Sequence, residues 1–445
     1  MTRFFRFLAY FIGAILLLAL ATITTVDRRP IDEQDFFKET FAKLDSSNWE
    51  TSQGEAWLAG WASGNVTPDQ PAELVGYAPR GPYQFVQDSS RLKALTLSNG
   101  KTRIAWLNYE LLIVHPFLAD QVRQGVKKAG IPIDQLIFTA THTHSGMGGY
   151  MPGFLGELAF GGYDQEIVDL LVNKSVETLQ TALAKQDTVS IFFRKTRAAD
   201  HVSNRFIKDG PYDPFVRQVI FSRKDGKKAL FYTYSAHATC LSSKFMGLSG
   251  DYPNYLSENL EARDYDFAMY AAGTVGSHRP MANGNTPEAV KDYAASLDSV
   301  IWLRMTTYGS NKLPLIRHNR LDISLREPHL RISDNLRVRP WVFKKLVGET
   351  PAYFEITQLG NLLLIASSGE LSGVFYEEWD RLAQSKGLKL IVTVFNGSYI
   401  GYITPDELYD EHFHEVREMN WFGPGNGHYF DELVKKTINR ASQSN

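Results

Sequence analysis

FTATHTHSGMGGY, residues 138–150, sets two histidines one residue apart, after the apolar Leu136, Ile137 and Phe138 and before a run of small and glycine residues. The apolar run reads as a buried strand that gives out into a loop. Side chains alternate along a strand, which puts His142 and His144 on one face and Thr141 and Thr143 on the other. Two imidazoles so placed hold a metal, share a proton or cap a core, and the rest of the chain must decide among these.

Three more apolar runs finish in polar groups in the same way. ALFYTYSAH (229–237) ends at His237, LLLIASSGE (362–370) at Glu370, and IVTVFNGSYIGY (391–402) runs into Tyr399 and Tyr402. Loops at strand ends are a usual place for active sites. Histidine and carboxylate suit zinc, which takes about four N, O or S ligands from rigid elements. Each residue alone has an ordinary structural explanation; the tight pair His142 and His144 is the more specific signal.

Between these runs, strand and helix patterns mix. Asn99-Gly100 and Asp225-Gly226 mark hairpin turns between apolar runs. Helices are read over 31–44, 114–128 and 165–185, and from Thr286-Pro287-Glu288 towards Tyr308. Strands are read at 134–140, 188–196, 353–360, 361–368 and 388–397. The order is neither strictly alternating nor all strand, so the fold class is α/β, a mixed β-sheet core flanked by helices. No repeat or low-complexity linker interrupts residues 31–445, which are read as one domain.

Residues 1–30 read separately. Arg3 and Arg6 precede about 20 apolar residues, enough to span a bilayer as a signal anchor. Ala19-Leu20-Ala21 offers a cleavage site, which would make the segment a signal peptide instead. Either exports the body, to the periplasm or the exterior, and the basic start keeps the N-terminus cytoplasmic. The 445 residues are 44% hydrophobic, ample for a large core, and the net charge of −2 with no basic run argues against nucleic acid as a partner. Cys240 is the single cysteine, so neither an intrachain disulfide nor a thiolate cluster can form. Any metal must be held by histidine, carboxylate or phenolate. Oligomeric state is not legible.

THTHSGMGGY resembles the THTHSGPGG segment of the neutral and alkaline ceramidases, zinc amidases that split ceramide into sphingosine and a fatty acid. VSNRFIKDGPYDP, YSAHATCLSS, SSGELSG and NGSYIGYITPDELYDEHFHE are similar to four further family segments, in the family's order. The resemblance implies zinc held by His142, His237, Glu370 and Tyr402, with His144 and Arg205 at the catalytic centre. It implies metal-activated water attacking the N-acyl bond of a ceramide-like lipid or related N-acylated small molecule. An ester or a non-sphingolipid amide is the alternative substrate, and a non-catalytic membrane-anchored binding protein the alternative class. Three departures stand out. The family's Gly-Asp-Val-Ser-Pro segment aligns with GSHRP, so Arg279 stands where a serine is expected and a more polar or anionic head group follows. His414 stands for a tyrosine, and with Tyr399 completes the substrate-side candidates. The family's C-terminal immunoglobulin-like domain finds no counterpart. The glycine-rich stretch 146–163 reads equally as an apolar rim for an acyl chain or as a loop seated on the body.

Overall fold

Long strands that are apolar on both faces predict sheets covered on both sides. The structure, a computed structural model describing residues 2–77, 80–303, 307–311 and 313–443, arranges them so. In chain order the principal strands are β1 (Glu50–Gln53), β2 (Trp57–Asn65), β3 (Arg91–Ser98), β4 (Arg103–Tyr109), β5 (Gln135–Ala140), β6 (Asp187–Arg197) and β7 (Phe215–Arg223). They continue with β8 (Lys228–Tyr234), β9 (Phe267–Ala272), β10 (Thr307–Asn311), β11 (Leu315–Asp322), β12 (Tyr353–Leu359), β13 (Leu362–Ser367) and β14 (Lys389–Val394). The larger sheet has the order β9-β8-β7-β6-β2-β3-β4-β5, with β10 also paired to β6; the smaller has β1-β11-β12-β13-β14. Both are mixed. The pairs β4/β5, β8/β9 and β13/β14 are parallel and the others antiparallel.

The single mixed sheet expected from the pattern is therefore two, stacked face to face. Trp61, Leu95, Trp106, Phe231 and Met269 of the larger sheet share one buried cluster with Ile316, Leu359, Leu364 and Ile391 of the smaller. Their alternate neighbours, such as Leu107, Leu230, Tyr270, Leu363 and Val392, face outward into the cluster that contains the helices. On the larger sheet these helices are α4 (Gln165–Ala184), α5 (Asp251–Arg263) and α6 (Pro287–Leu303), with α3 (Pro116–Lys128) against α4. On the smaller sheet lie α7 (Tyr376–Ser385) and α8 (Asn426–Ser442), and α2 (Asp35–Ser46) meets α8 through Phe37 and Tyr429. The result is four layers, helix, sheet, sheet, helix. Alternation in α4 is helical: Val168, Leu171, Leu179 and Ala182 are buried, and Asp164 caps its start by accepting from the Glu166 N–H at 2.8 Å.

Two boundaries differ from expectation. α6 ends at Leu303, and Tyr308 belongs to β10; residues 304–306 lie outside the described ones. α2 begins at Asp35, after a separate turn over residues 31–34 that the Gln34 N–H closes on the Ile31 carbonyl at 3.1 Å. The first helix, α1 (Thr2–Thr22), is long and apolar enough by length and composition to cross a bilayer, with mean hydropathy 2.2 and none of it buried.

Candidate metal centre

The parallel pairs place the chemistry. His142 follows β5, His237 follows β8, Glu370 follows β13 and Tyr402 follows β14, so all four lie beyond the C-terminal ends of parallel neighbours. Glu370–Leu371 and Tyr402–Ile403 form a further short parallel pair in register. That pairing puts Glu370 directly across from Tyr402.

His142 and His144 do meet, but not through strand alternation. The strand stops at Ala140, and His142 takes φ +62°, the left-handed region that a bulky residue adopts only when its surroundings hold it. Phe395, also at positive φ (+64°), stacks on the His142 ring at 4.3 Å between centroids. The two imidazoles stand edge to face, centroids 4.9 Å apart. Gly76, at φ +102°, lets its loop press on His144; a Cβ there would lie 2.4 Å from the His144 Cα.

Donor atoms converge on one point. The Nε2 atoms of His142 and His237 are 2.9 Å apart, and that of His144 is 3.3 Å from His142. Glu370 Oε1 lies 3.6 Å from His142 Nε2 and 3.5 Å from His237 Nε2, and the Tyr402 hydroxyl 3.4 Å from His237 Nε2. A tetrahedral ion with arms of about 2.0–2.1 Å sets its ligand atoms about 3.3–3.4 Å apart, close to this spacing.

Protonation points the same way. His142 Nδ1–H donates to the Leu112 carbonyl at 2.7 Å and His237 Nδ1–H to the Val275 carbonyl at 3.0 Å. Both neutral rings therefore turn Nε2 lone pairs toward each other. A proton between them is disfavoured: burial pushes His142 down to about 3 and His237 well below its ordinary value, Arg205 adding to both. Glu370 Oε1 is buried with no hydrogen bond, while Oε2 accepts from the Tyr399 hydroxyl at 3.0 Å. Facing lone pairs and an orphaned carboxylate oxygen fit a divalent cation. Burial raises the Glu370 carboxyl to about 8, against the pull of Arg205.

Arg205 borders this cluster. Its Nη2 donates to the Gly276 carbonyl at 3.1 Å and the Tyr402 hydroxyl at 3.2 Å, and pairs with Glu415 at 3.0 Å. His142, His144, Arg205 and Tyr402 line a cavity of about 730 Å³, and the fully buried His237 and Glu370 stand behind them, beneath its floor. Its walls include Leu112, Ile113, Met151, Leu155, Phe160, Met419 and Trp421, so the glycine-rich stretch does contribute apolar rim.

Of the nine candidate residues, eight gather at the cavity or its floor. Exposed His414 stands at the rim, its Nδ1 3.1 Å from Glu418. Arg279 does not join them. It lies on a short strand, His278–Pro280, antiparallel to Val202–Asn204, and alternation turns His278 inward and Arg279 to solvent, Nε donating to Ser203 at 3.2 Å. Sequence reading missed Glu415, which holds Arg205 and is adjacent to His414, and Phe395, whose apolar run reads as plain strand.

Residues 59–287 match the family described as neutral/alkaline non-lysosomal ceramidase, N-terminal, and this chain belongs to that family. The fold is also that of neutral ceramidase from Pseudomonas aeruginosa, with TM-score 0.73 at 15% identity, over 87% of this chain and 75% of that one. A structure described as ceramidase complexed with C2 matches at TM-score 0.69 and 15% identity over the same shares.

Proposed function

We propose that the chain is a zinc-dependent amidohydrolase that cleaves the N-acyl bond of a ceramide-like lipid. Residues 1–30 would anchor it in the membrane, and 31–445 would form one hydrolase domain on the outer side. The observation that carries this reading is the convergence of His142, His237, Glu370 and Tyr402 at the floor of an apolar cavity. Family membership supports the reaction class.

Those four residues would hold the ion. Zinc in such a site polarises a carbonyl and lowers the pKa of water from about 15.7 to about 7. Arg205, kept cationic beside Glu415, offers N–H groups where negative charge develops on the carbonyl oxygen. His144, held neutral by burial, has Nε2 on the same cavity; it can accept a proton there from the attacking water and then pass that proton to the departing amine as the C–N bond breaks. The apolar walls hold the acyl chain and exclude water. Arg279 faces solvent, so no preference for anionic head groups is built on it.

The test is hydrolysis of N-acyl and O-acyl lipids by the full-length protein, with and without chelator. N-acyl turnover is expected, lost with chelator and in Glu370→Ala. Zinc-loaded protein that turns over esters alone, or nothing across a broad panel, would refute the amidase reading.

A further inference from the structure

α1 is not tethered by a free linker. Ile23–Thr25 continue from it as a strand antiparallel to Leu336–Val338, and the Val26 N–H donates to the Asn335 carbonyl at 2.9 Å. The Arg339 N–H donates to the Thr22 carbonyl at 2.7 Å, Arg339 Nε to Leu20 at 3.1 Å and Trp341 Nε1 to Ala21 at 3.1 Å. Arg337 Nε adds a bond to the Thr25 carbonyl at 3.0 Å. The last turn of the apolar helix is thus stitched to the body, and the stitched segment leads straight to the cavity. Helix Pro340–Val347 begins at the stitch and ends at the cavity wall, where Val347, Glu349 and Thr350 stand. Eight residues at 1.5 Å each span about 12 Å.

Across the cavity mouth, helix Phe154–Ala159 packs on Pro340–Val347. Leu155 and Ala159, one turn apart, line the cavity. Phe154 and Leu158, also one turn apart, are 57% and 55% exposed, and Trp341 is 53% exposed. Ile332 and Leu336 are exposed beside the stitch, with exposed Arg339, Lys344 and Lys345 along it. A tryptophan with Arg339, Lys344 and Lys345 close to it in sequence, bonded to the last turn of a helix long and apolar enough to span, matches the composition of a bilayer interface.

We propose that Phe154, Leu158 and Trp341 form a membrane-docking face that seats the cavity mouth on the bilayer holding α1. A lipid then passes from the leaflet into the cavity without crossing water. This rests on the reading of α1 as a membrane anchor. The test uses full-length protein in phosphatidylcholine vesicles containing doxyl-labelled lipid. Single cysteines, Leu8→Cys, Phe154→Cys, Leu158→Cys and Lys101→Cys, are placed in a Cys240→Ala background and labelled with an environment-sensitive fluorophore. Lys101 precedes β4, at the end of that strand away from the cavity. Labels at 8, 154 and 158 should be blue-shifted and quenched, and the label at 101 neither. Quenching at 8 with 154 and 158 no different from 101 would overturn the docking face and leave the anchor standing. An unquenched label at 8 would overturn both.

Discussion

Tyr399 donates its hydroxyl to Glu370 Oε2 at 3.0 Å, leaving Oε1 toward the histidines. A phenol in that place orients the carboxylate, and such supporting bonds are worth about 10–100-fold in metal affinity. Tyr399→Phe should weaken zinc binding by roughly that factor while the far-UV spectrum stays unchanged, as competition with a chromogenic chelator would measure; equal affinity would deny Tyr399 this part. Glu110 offers a second residue-scale outcome. Burial raises its carboxyl to about 8, with Asp88 adding to the rise, while Oε2 accepts the Arg91 N–H at 2.7 Å. Its stabilising share is whole below the unfolded value of 4.5 and disappears as pH climbs to about 8, since only the unfolded chain ionises readily in that window. Glu110→Gln keeps the acceptor and removes the titration. Its urea midpoint should match wild type near pH 4.5 and exceed it at about pH 8–9; parallel curves would exclude the effect. His142, His237, Glu370 and Tyr402 were legible because each follows an apolar run and falls in a recognisable segment. Arg279 was not, because which face a two- or three-residue strand turns inward depends on its partner.

A pair of two-residue strands and one glycine loop decide how the centre is held. Glu370 and Tyr402 face each other only because their segments pair in parallel register, with the Glu370 N–H on the Gly401 carbonyl at 3.0 Å. Segments so short carry no periodicity, so no sequence pattern announces them. The hairpins at Asn99-Gly100 and Asp225-Gly226 were readable for the opposite reason: the turn residues themselves state the geometry. The loop at Gly76 belongs to the unannounced kind. Gly76→Ala sets a Cβ 2.4 Å from the His144 Cα at a backbone angle that favours glycine. A stability loss of about 1–3 kcal/mol is expected, with turnover falling further than zinc content because His144 moves and the other side chains do not. Unchanged turnover in the folded variant would separate His144 from the chemistry.

Two sheets stacked through one apolar layer should behave as one cooperative unit. Trp106 sits in that layer with Phe231 at 6.2 Å between centroids, so Trp106→Ala should cost about 3–5 kcal/mol. Calorimetry should show a single heat transition in both proteins, shifted down in the variant; two separate transitions would mean that the sheets unfold independently. The mixed order of strand and helix patterns foretold an α/β body, but not the split into two sheets. Strands apolar on both faces look alike whether a helix or a second sheet covers them. The in-register pairing of Glu370 with Tyr402 also has a consequence in time. The first donor histidine, His142, leaves the ribosome long before its last partner, and the centre can close only after β14 and Tyr402 have been made. In the proposed zinc enzyme, loading the ion would therefore be a late event in the life of the chain, a seal set on a finished fold rather than a seed around which folding begins.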